Sequence, residues 1–107
     1  MGNAIDARSP RELLRRERLR ILAVVADRGG RDVRVLGSLA RGDDDPESDI
    51  DLLIELPRGE SAGGELLAVL ELSEELSHLV GERVDVVTAR TLRGDVRDAA
   101  VAEAVPL

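Results

Sequence analysis

The sequence predicts an α/β fold in which helices pack against a small mixed β-sheet of three or more strands. Segments whose apolar residues recur with helical spacing alternate with short segments that are apolar throughout or at every second position. Glycine or proline separates most of these segments. The predicted order is therefore helix, strand, short turn, strand, helix, strand and helix. A length of 107 residues without an internal repeat leads us to expect one domain over residues 1–107.

The first helix is predicted to begin at Ser9. Serine at the N-cap, proline at the first helical position and Glu12 three residues after the cap together mark a helix start. The apolar residues that continue it with helical spacing are Leu14, Ile21, Leu22 and Val25. The glycines at 29–30 end the helix, and residues 33–36 form a first short strand that ends at Gly37.

The middle of the chain is predicted to hold a turn, a loop and the second strand. Residues 38–41 form one helical turn, and residues 42–48 form a loop in which Pro46 disfavours regular structure. Residues 49–56 form the second strand, and their nearly continuous apolar character favours a central position in the sheet. Pro57 ends this strand.

The second half of the chain is predicted to contain two more helices and a third strand. Residues 58–64, with three glycines, are expected to form a flexible loop. The next helix ends at Gly81 and is predicted from the apolar stripe Leu66, Val69, Leu70, Leu72, Leu76, Leu79 and Val80. Residues 83–88 alternate as a strand. Residues 92–104 are predicted to form the final helix. We interpret 99–107 as its packed end plus a frayed terminus, with a partner or dimer contact as the alternative.

Three aspartates stand where the predicted strands would bring their side chains together. Asp49 and Asp51 lie two positions apart, so both side chains point to one face of the second strand. Asp85 lies within the third, apolar strand, where an unpaired charge is costly. If these strands are neighbours, the carboxylates converge and suit two Mg²⁺ ions in a phosphoryl or nucleotidyl transfer. Asp49, Asp51 and Asp85 are thus the predicted metal ligands and catalytic residues, and Asp85 is also placed to accept the proton of an attacking hydroxyl.

The turn before the second strand predicts a nucleotide-phosphate site. Gly37 lets the backbone approach a phosphate closely, and Ser38 offers a backbone N–H and a hydroxyl at the start of a helical turn. Arg41 is placed to neutralise phosphate charge, and Ser48 to donate to a phosphate oxygen. Gly37, Ser38, Arg41 and Ser48 are therefore the predicted nucleotide-binding residues.

Composition and charge exclude several classes of protein. A formal charge of −7 argues against nonspecific nucleic-acid binding. No apolar stretch approaches the roughly 18 residues of a membrane span, so no membrane partner is expected. The absence of cysteine excludes disulfides and thiolate zinc sites and fits a cytoplasmic location. The arginine-rich first segment is interpreted as a solvated helix face, with a surface for phosphates, an acidic partner or RNA as the alternative.

The order of these motifs resembles that of the nucleotidyltransferase superfamily that includes DNA polymerase beta, and most of all its minimal nucleotidyltransferases. The resemblance rests on Gly37-Ser38, on Asp49-Ile50-Asp51 eleven positions later, and on Asp85, and it covers residues 33–88. It implies a nucleotidyltransferase-like fold. It also implies metal-dependent transfer of a nucleoside monophosphate from a nucleoside triphosphate to a hydroxyl, with release of pyrophosphate.

The resemblance also implies a biological setting. Many members of the minimal group are antitoxins encoded with a HEPN-type ribonuclease toxin, and the active ones transfer AMP from ATP to a tyrosine of that toxin. We therefore expect Mg²⁺ as cofactor, ATP as substrate and a cognate HEPN-type toxin as partner, in a homo- or hetero-oligomer. Two alternatives stay open: an antitoxin with a vestigial site that acts by sequestration, and a small-molecule nucleotidyltransferase that works with an accessory subunit.

Overall fold

A computed structural model describes residues 9–58 and 61–107 of the protein. Its helices are α1 (Pro10–Asp27), α2 (Gly37–Arg41), α3 (Ala62–Val80) and α4 (Gly94–Glu103), and a 3-10 turn spans Ala89–Thr91. Its strands are β1 (Arg31–Val35), β2 (Ile50–Glu55), β3 (Val84–Val87) and β4 (Val105–Pro106). The sheet order is β3-β2-β1-β4, with β1 antiparallel to β2 and β4, and β2 parallel to β3. The predicted mixed sheet flanked by helices is confirmed.

The core lies between one face of the sheet and helices α1 and α3. Along β2, Ile50, Leu52 and Ile54 point to this face, and each is at most 1% exposed. They share one buried cluster with residues of the two helices, among them Ile21, Val25, Leu72 and Leu76. The residues between them, Asp51 and Leu53, therefore point to the opposite face of the sheet. No helix within residues 9–58 and 61–107 is long and apolar enough to cross a membrane.

Helix α1 begins where its sequence predicts. The Oγ of Ser9 accepts a hydrogen bond of 3.2 Å from the backbone N–H of Glu12, which is the expected N-cap. Strand β1 starts earlier than predicted, at Arg31, and it contains an irregularity. Its pairing with β2 shifts register between Arg31 and Arg34, and Asp32 has a φ of +58°. A β-bulge of this kind bends the strand and redirects side chains, which the local sequence pattern did not indicate.

Helix α3 differs from its prediction at both its start and its apolar face. It begins at Ala62, so the predicted loop is shorter, and Ser61 caps the helix by accepting from the N–H of Gly64 at 3.1 Å. Residues 59 and 60 of that loop lie outside the described residues. Leu66 and Leu70 were predicted in the buried stripe but are 53% and 58% exposed. At about 100° per residue, Leu70 stands about 160° around the helix from Leu72 and about 120° from Leu76, which are both fully buried.

The end of the chain forms a strand where a frayed terminus was predicted. Helix α4 ends at Glu103, and Val105 and Pro106 then pair antiparallel with β1. The N–H of Leu107 donates to the carbonyl of Val33 at 3.0 Å, and Nε of Arg18 donates to the carbonyl of Leu107 at 3.0 Å. Proline is acceptable here because an edge strand leaves one side of its backbone unpaired.

Candidate active site

The parallel pairing of β2 with β3 brings two of the predicted aspartates together. Asp51 is the direct register partner of Asp85. Both side chains point away from the helices, because their neighbours along each strand are buried in the core. Asp49 stands just before β2 and is exposed. The register thus places Asp85 beside Asp51, and Asp49 lies two residues before Asp51 along the chain, near enough for its charge to act on Asp51.

Burial and like charge act together on Asp51. Partial burial raises the pKa of the Asp51 carboxyl, and the nearby charges of Asp85 and Asp49 raise it further. Arg83 lowers it again by a smaller amount. The guanidinium of Arg83 lies 3.3 Å from Oδ1 of Asp85, but the Arg83 side chain is 82% exposed, so this ion pair is screened by water. The site therefore holds more negative charge than the protein compensates.

The donor set fits a divalent cation, although the side chains do not form a finished cage. Within residues 9–58 and 61–107, no three His, Cys, Asp or Glu side chains lie close enough together to hold a metal as they stand. Asp51 and Asp85 nevertheless offer hard carboxylate oxygens on adjacent strands, and the raised pKa of Asp51 is the effect that a nearby cation would reverse. Asp49 is exposed, and its charge acts on Asp51. These three residues are the ones that would hold Mg²⁺.

Gly37 places the start of α2 beside Asp51. Gly37 has a φ of +70°, which glycine adopts without strain, and a Cβ at this position would lie 3.6 Å from Oδ2 of Asp51. The N–H of the preceding residue, Leu36, donates to the carbonyl of Asp51 at 2.9 Å, which fixes the turn to β2. The predicted phosphate turn and the predicted metal ligands are therefore neighbours.

A carboxylate from α4 occupies the donors at this turn. Oε1 of Glu103 accepts from the backbone N–H of Gly37 at 3.1 Å, and both carboxylate oxygens of Glu103 accept from Nη1 of Arg41 at 3.3 Å. Nε of Arg41 also donates to Asp43 at 3.3 Å. These donors thus bind an anionic group in this structure, which shows that they suit one. Sequence reasoning missed Glu103, because nothing local distinguishes it from other acidic residues on helix surfaces.

The two predicted serines differ in their surroundings. Ser38 is partly buried, and its carbonyl accepts from the N–H groups of Gly42 at 2.9 Å and Asp43 at 3.1 Å. Its hydroxyl makes no hydrogen bond to the part of the chain that the structure describes. The Oγ of Ser48 accepts from the N–H of Asp45 at 2.9 Å and so closes the loop before β2. The Ser48 hydroxyl can still donate its own hydrogen.

The acidic loop between α2 and β2 is tied to α1. The guanidinium of Arg11 forms an ion pair with Asp44 and donates to the carbonyl of Leu39 at 3.3 Å. The hydrogen bond from Arg11 lowers the pKa of the Asp44 carboxyl. This contact gives one arginine of the basic helix a structural role and holds the loop that leads to Asp49.

Comparison with known proteins decides the family. The nucleotidyltransferase domain family matches residues 19–107, which include the turn, the three aspartates and β4. The chain belongs to the nucleotidyltransferase domain family. The family is named after an enzyme activity, nucleotidyl transfer, and two curated relatives are named as protein adenylyltransferases. The chain is therefore a nucleotidyltransferase, as the motifs implied.

Two curated proteins are similar to this nucleotidyltransferase over most of their length. MJ0435 of Methanocaldococcus jannaschii, a candidate protein adenylyltransferase, is 33% identical over 86 residues, or 80% of this chain and 88% of that protein. The protein adenylyltransferase MntA of Thermococcus cleftensis is 35% identical over 77 residues, or 72% of this chain and 74% of that protein.

Solved structures share the fold of this nucleotidyltransferase. A candidate minimal nucleotidyltransferase superposes with a TM-score of 0.75 at 39% identity, over 91% of this chain and 95% of that one. A toxin–antitoxin complex with AMP-PNP superposes with a TM-score of 0.67 at 20% identity, over 82% of this chain and 69% of that one. At the lower identity the likeness concerns the fold alone.

Proposed function

We propose that this nucleotidyltransferase is an antitoxin that transfers AMP from ATP, with Mg²⁺, to a tyrosine hydroxyl of a HEPN-type toxin. The observation that carries the proposal is the pairing of Asp51 with Asp85 beside the turn at Gly37. Two carboxylates and an anion-binding turn in contact with each other are what nucleotidyl transfer from a triphosphate requires. The names of the relatives support a protein as acceptor.

Two structural neighbours support a toxin as the acceptor. One structural neighbour is a toxin–antitoxin complex with AMP-PNP, and another is a mutant of the toxin–antitoxin pair MntA-HpeT with a TM-score of 0.64 at 17% identity. Those two complexes combine this fold with a toxin, and one of them also contains a nucleotide analogue. The HEPN class of the toxin and the tyrosine as acceptor rest on the resemblance of the motifs alone.

The proposed reaction is an in-line displacement at the α-phosphorus of ATP. The hydroxyl oxygen forms a bond to the α-phosphorus, and the bond from that phosphorus to the oxygen that bridges to the β-phosphorus breaks. Pyrophosphate leaves with the electron pair, and the hydroxyl proton passes to the carboxylate of Asp85. Gly37 and Ser38 donate to the phosphates, and Arg41 balances their charge. Mg²⁺ held by Asp49, Asp51 and Asp85 would neutralise charge on the phosphate oxygens.

The test is transfer of labelled AMP to the protein encoded in the neighbouring reading frame. The wild-type chain is expected to add AMP to that protein, and mass spectrometry is expected to locate it on a tyrosine. Asp49→Asn is expected to abolish the modification. Asp98→Asn, which alters an exposed aspartate on α4, is the matched control and should act like the wild type. Stable label on small hydroxyl compounds, with none on protein, would instead support a small-molecule enzyme.

One observation favours sequestration as a second candidate function. Glu103 already occupies the N–H of Gly37 and the guanidinium of Arg41, as it would in a chain that no longer binds nucleotide. In that case Asp49→Asn would still neutralise the toxin fully, and no adenylylated partner would be found. Loss of neutralisation in Asp49→Asn, with the toxin still bound, would reject sequestration.

A further inference from the structure

A cavity of about 280 Å³ lies on the same sheet face as the paired aspartates. Leu53, two residues after Asp51, contributes to its lining, and so does Thr88, which directly follows β3. Since residues two apart in a strand share a face about 6.5–7 Å apart, the cavity begins one side-chain step beyond Asp51.

The cavity and the phosphate turn lie on opposite sides of Asp51 along the strand direction. The N–H of Leu36 donates to the carbonyl of Asp51, so Gly37 lies beyond Asp51 toward the start of β2. Arg34, which lines the cavity, is the register partner of Leu53 and so lies further toward the end of β2. In an in-line displacement the attacking and leaving oxygens stand on opposite sides of the phosphorus. If the triphosphate binds at Gly37, the acceptor hydroxyl must therefore approach from the cavity side.

The charges around the cavity are balanced within the protein. Arg34 pairs with Asp32 at 3.1 Å, and Arg90 pairs with Glu65 at 3.0 Å. Arg31 pairs with Glu55 at 3.1 Å. A cavity without excess charge does not suit a phosphate or a strongly acidic ligand, whereas it suits the neutral backbone of a polypeptide.

Arg34 lines the cavity and holds a buried donor that no described residue satisfies. Nε of Arg34 makes no hydrogen bond within residues 9–58 and 61–107, although the side chain as a whole is 26% exposed. A buried donor without an acceptor destabilises the free protein, and because solvent does not reach this atom, a ligand oxygen pairs with it only after the Arg34 side chain turns toward the cavity. Turning the partly exposed guanidinium of Arg34 toward the cavity would therefore relieve this penalty and present its N–H groups to a ligand that brings an oxygen.

The backbone of β1 is distorted where it holds this arginine. Asp32 adopts a φ of +58° within the β-bulge, a left-handed conformation that aspartate tolerates better than most residues with a side chain. Nη2 of Arg34 forms an ion pair with Oδ2 of Asp32 at 3.1 Å, so the bulge supplies the counter-ion of the arginine that lines the cavity. Bulges are over-represented beside active sites, where they redirect a side chain.

We propose that this cavity binds the polypeptide segment that flanks the modified hydroxyl, and that the guanidinium of Arg34 turns to donate to a backbone carbonyl of that segment. Arg34 is then a positioning residue that sets the affinity for the acceptor protein. The inference rests on the proposed function, because it presumes transfer to a protein. An adenine base in the cavity is the competing occupant, and the test separates the two.

The test compares Arg34→Met with Arg20→Met. Arg20 is exposed on α1 and loses one ion pair with Glu17, at 3.2 Å, so it controls for the loss of a charge and of a salt bridge. The acceptor is the protein encoded in the neighbouring reading frame. Arg34→Met is expected to raise the KM for this acceptor about three- to tenfold, the scale of one lost hydrogen bond. The kcat and the affinity for ATP should remain within about twofold, and Arg20→Met should match the wild type.

Each other outcome has a defined meaning. An unchanged KM for the acceptor in Arg34→Met overturns the inference, and a weaker affinity for ATP alone assigns the cavity to the nucleotide base. If Arg34→Met does not fold, Ala89→Phe fills the cavity from the 3-10 turn without changing the arginine, and it should raise the same KM. A wild-type chain that labels no protein refutes the proposed function, whereas an active wild type with unaltered variants refutes only the role of the cavity.

Discussion

Replacing Asp51 with asparagine should stabilise the metal-free protein while it abolishes transfer. The pKa of the Asp51 carboxyl is raised by burial and by the charges of Asp85 and Asp49, so its ionised form is unfavourable in the folded state. Asparagine keeps the shape and removes the charge. A residue that serves only stability would behave in the opposite way, because its loss would lower the melting temperature.

The expected gain in stability follows from the distance between the two paired aspartates, which the strand register sets. Paired residues on adjacent strands lie about 5 Å apart, and Coulomb's law then gives about 0.8 kcal/mol in water and about 3 kcal/mol at an effective dielectric constant of about 20. Asp85 is 41% exposed and is paired with Arg83, so the lower part of this range applies. A gain of about 1 kcal/mol corresponds to a rise of about 4 °C or more in Tm for a domain of this size.

The pH dependence of unfolding tests in a second way whether Asp51→Asn stabilises the protein. Because the pKa of Asp51 is raised by folding, the folded state binds this proton more tightly than the unfolded state does, and the ionised carboxylate destabilises the fold above the folded pKa. The advantage of Asp51→Asn should therefore be full at neutral pH. It should shrink as the pH falls through the folded pKa and vanish below the ordinary range of aspartate. Urea unfolding at several pH values measures it, with Asp98→Asn as the control.

Magnesium should reverse the order of stability. Mg²⁺ that binds only the folded state raises Tm by mass action, and the rise depends on the carboxylates that hold it. Wild-type protein should gain stability in millimolar MgCl₂, whereas Asp51→Asn should gain little. A drop in the Tm of metal-free Asp51→Asn, or an equal response of both proteins to MgCl₂, would refute the assignment of Asp51 to a metal site.

The remaining predictions address the other parts of the site. Asp85→Asn should lower the transfer rate about 100-fold or more, since it removes both a ligand and a proton acceptor, and initial rates at saturating ATP measure this. Ser38→Ala should weaken ATP binding about tenfold while Tm changes by less than about 3 °C, as calorimetric titration and a thermal scan will show. Glu103→Gln should tighten ATP binding about two- to fivefold because a charged competitor leaves the start of α2; weaker binding in the same titration contradicts this. Removal of residues 105–107 should lower Tm by several degrees, since β1 loses its edge partner.

The elements that local patterns determine were predictable from the sequence. The N-cap at Ser9 depends on three neighbouring residues, and the central strand β2 depends on a nearly unbroken apolar run. The meeting of Asp51 with Asp85 needed only one further assumption, that β2 and β3 are neighbours. Once the apolar residues of both strands face the same helices, the aspartates between them must share the other face.

The face that helix α3 buries could not be predicted as well. Its sequence is apolar on more than half of its circumference, so the spacing alone allows several orientations. Packing on the sheet selects Leu72 and Leu76, both fully buried, and leaves Leu66 and Leu70 toward solvent. The β4 edge was missed for a related reason, since two residues carry no periodicity and their pairing depends on β1.

The contact of Glu103 with the phosphate turn shows what a linear pattern cannot contain. Gly37 and Glu103 are 66 residues apart, and only the packing of α4 brings them together. The sequence predicted donors suited to an anion at Gly37 and Arg41, and the fold supplies an anion of its own. If a nucleotide uses the same donors, its phosphates must displace Glu103, so binding at the turn and the position of the α4 end become linked in both directions. Since β4 follows directly after α4, a change there reaches the edge of the sheet, which the motifs alone give no reason to expect.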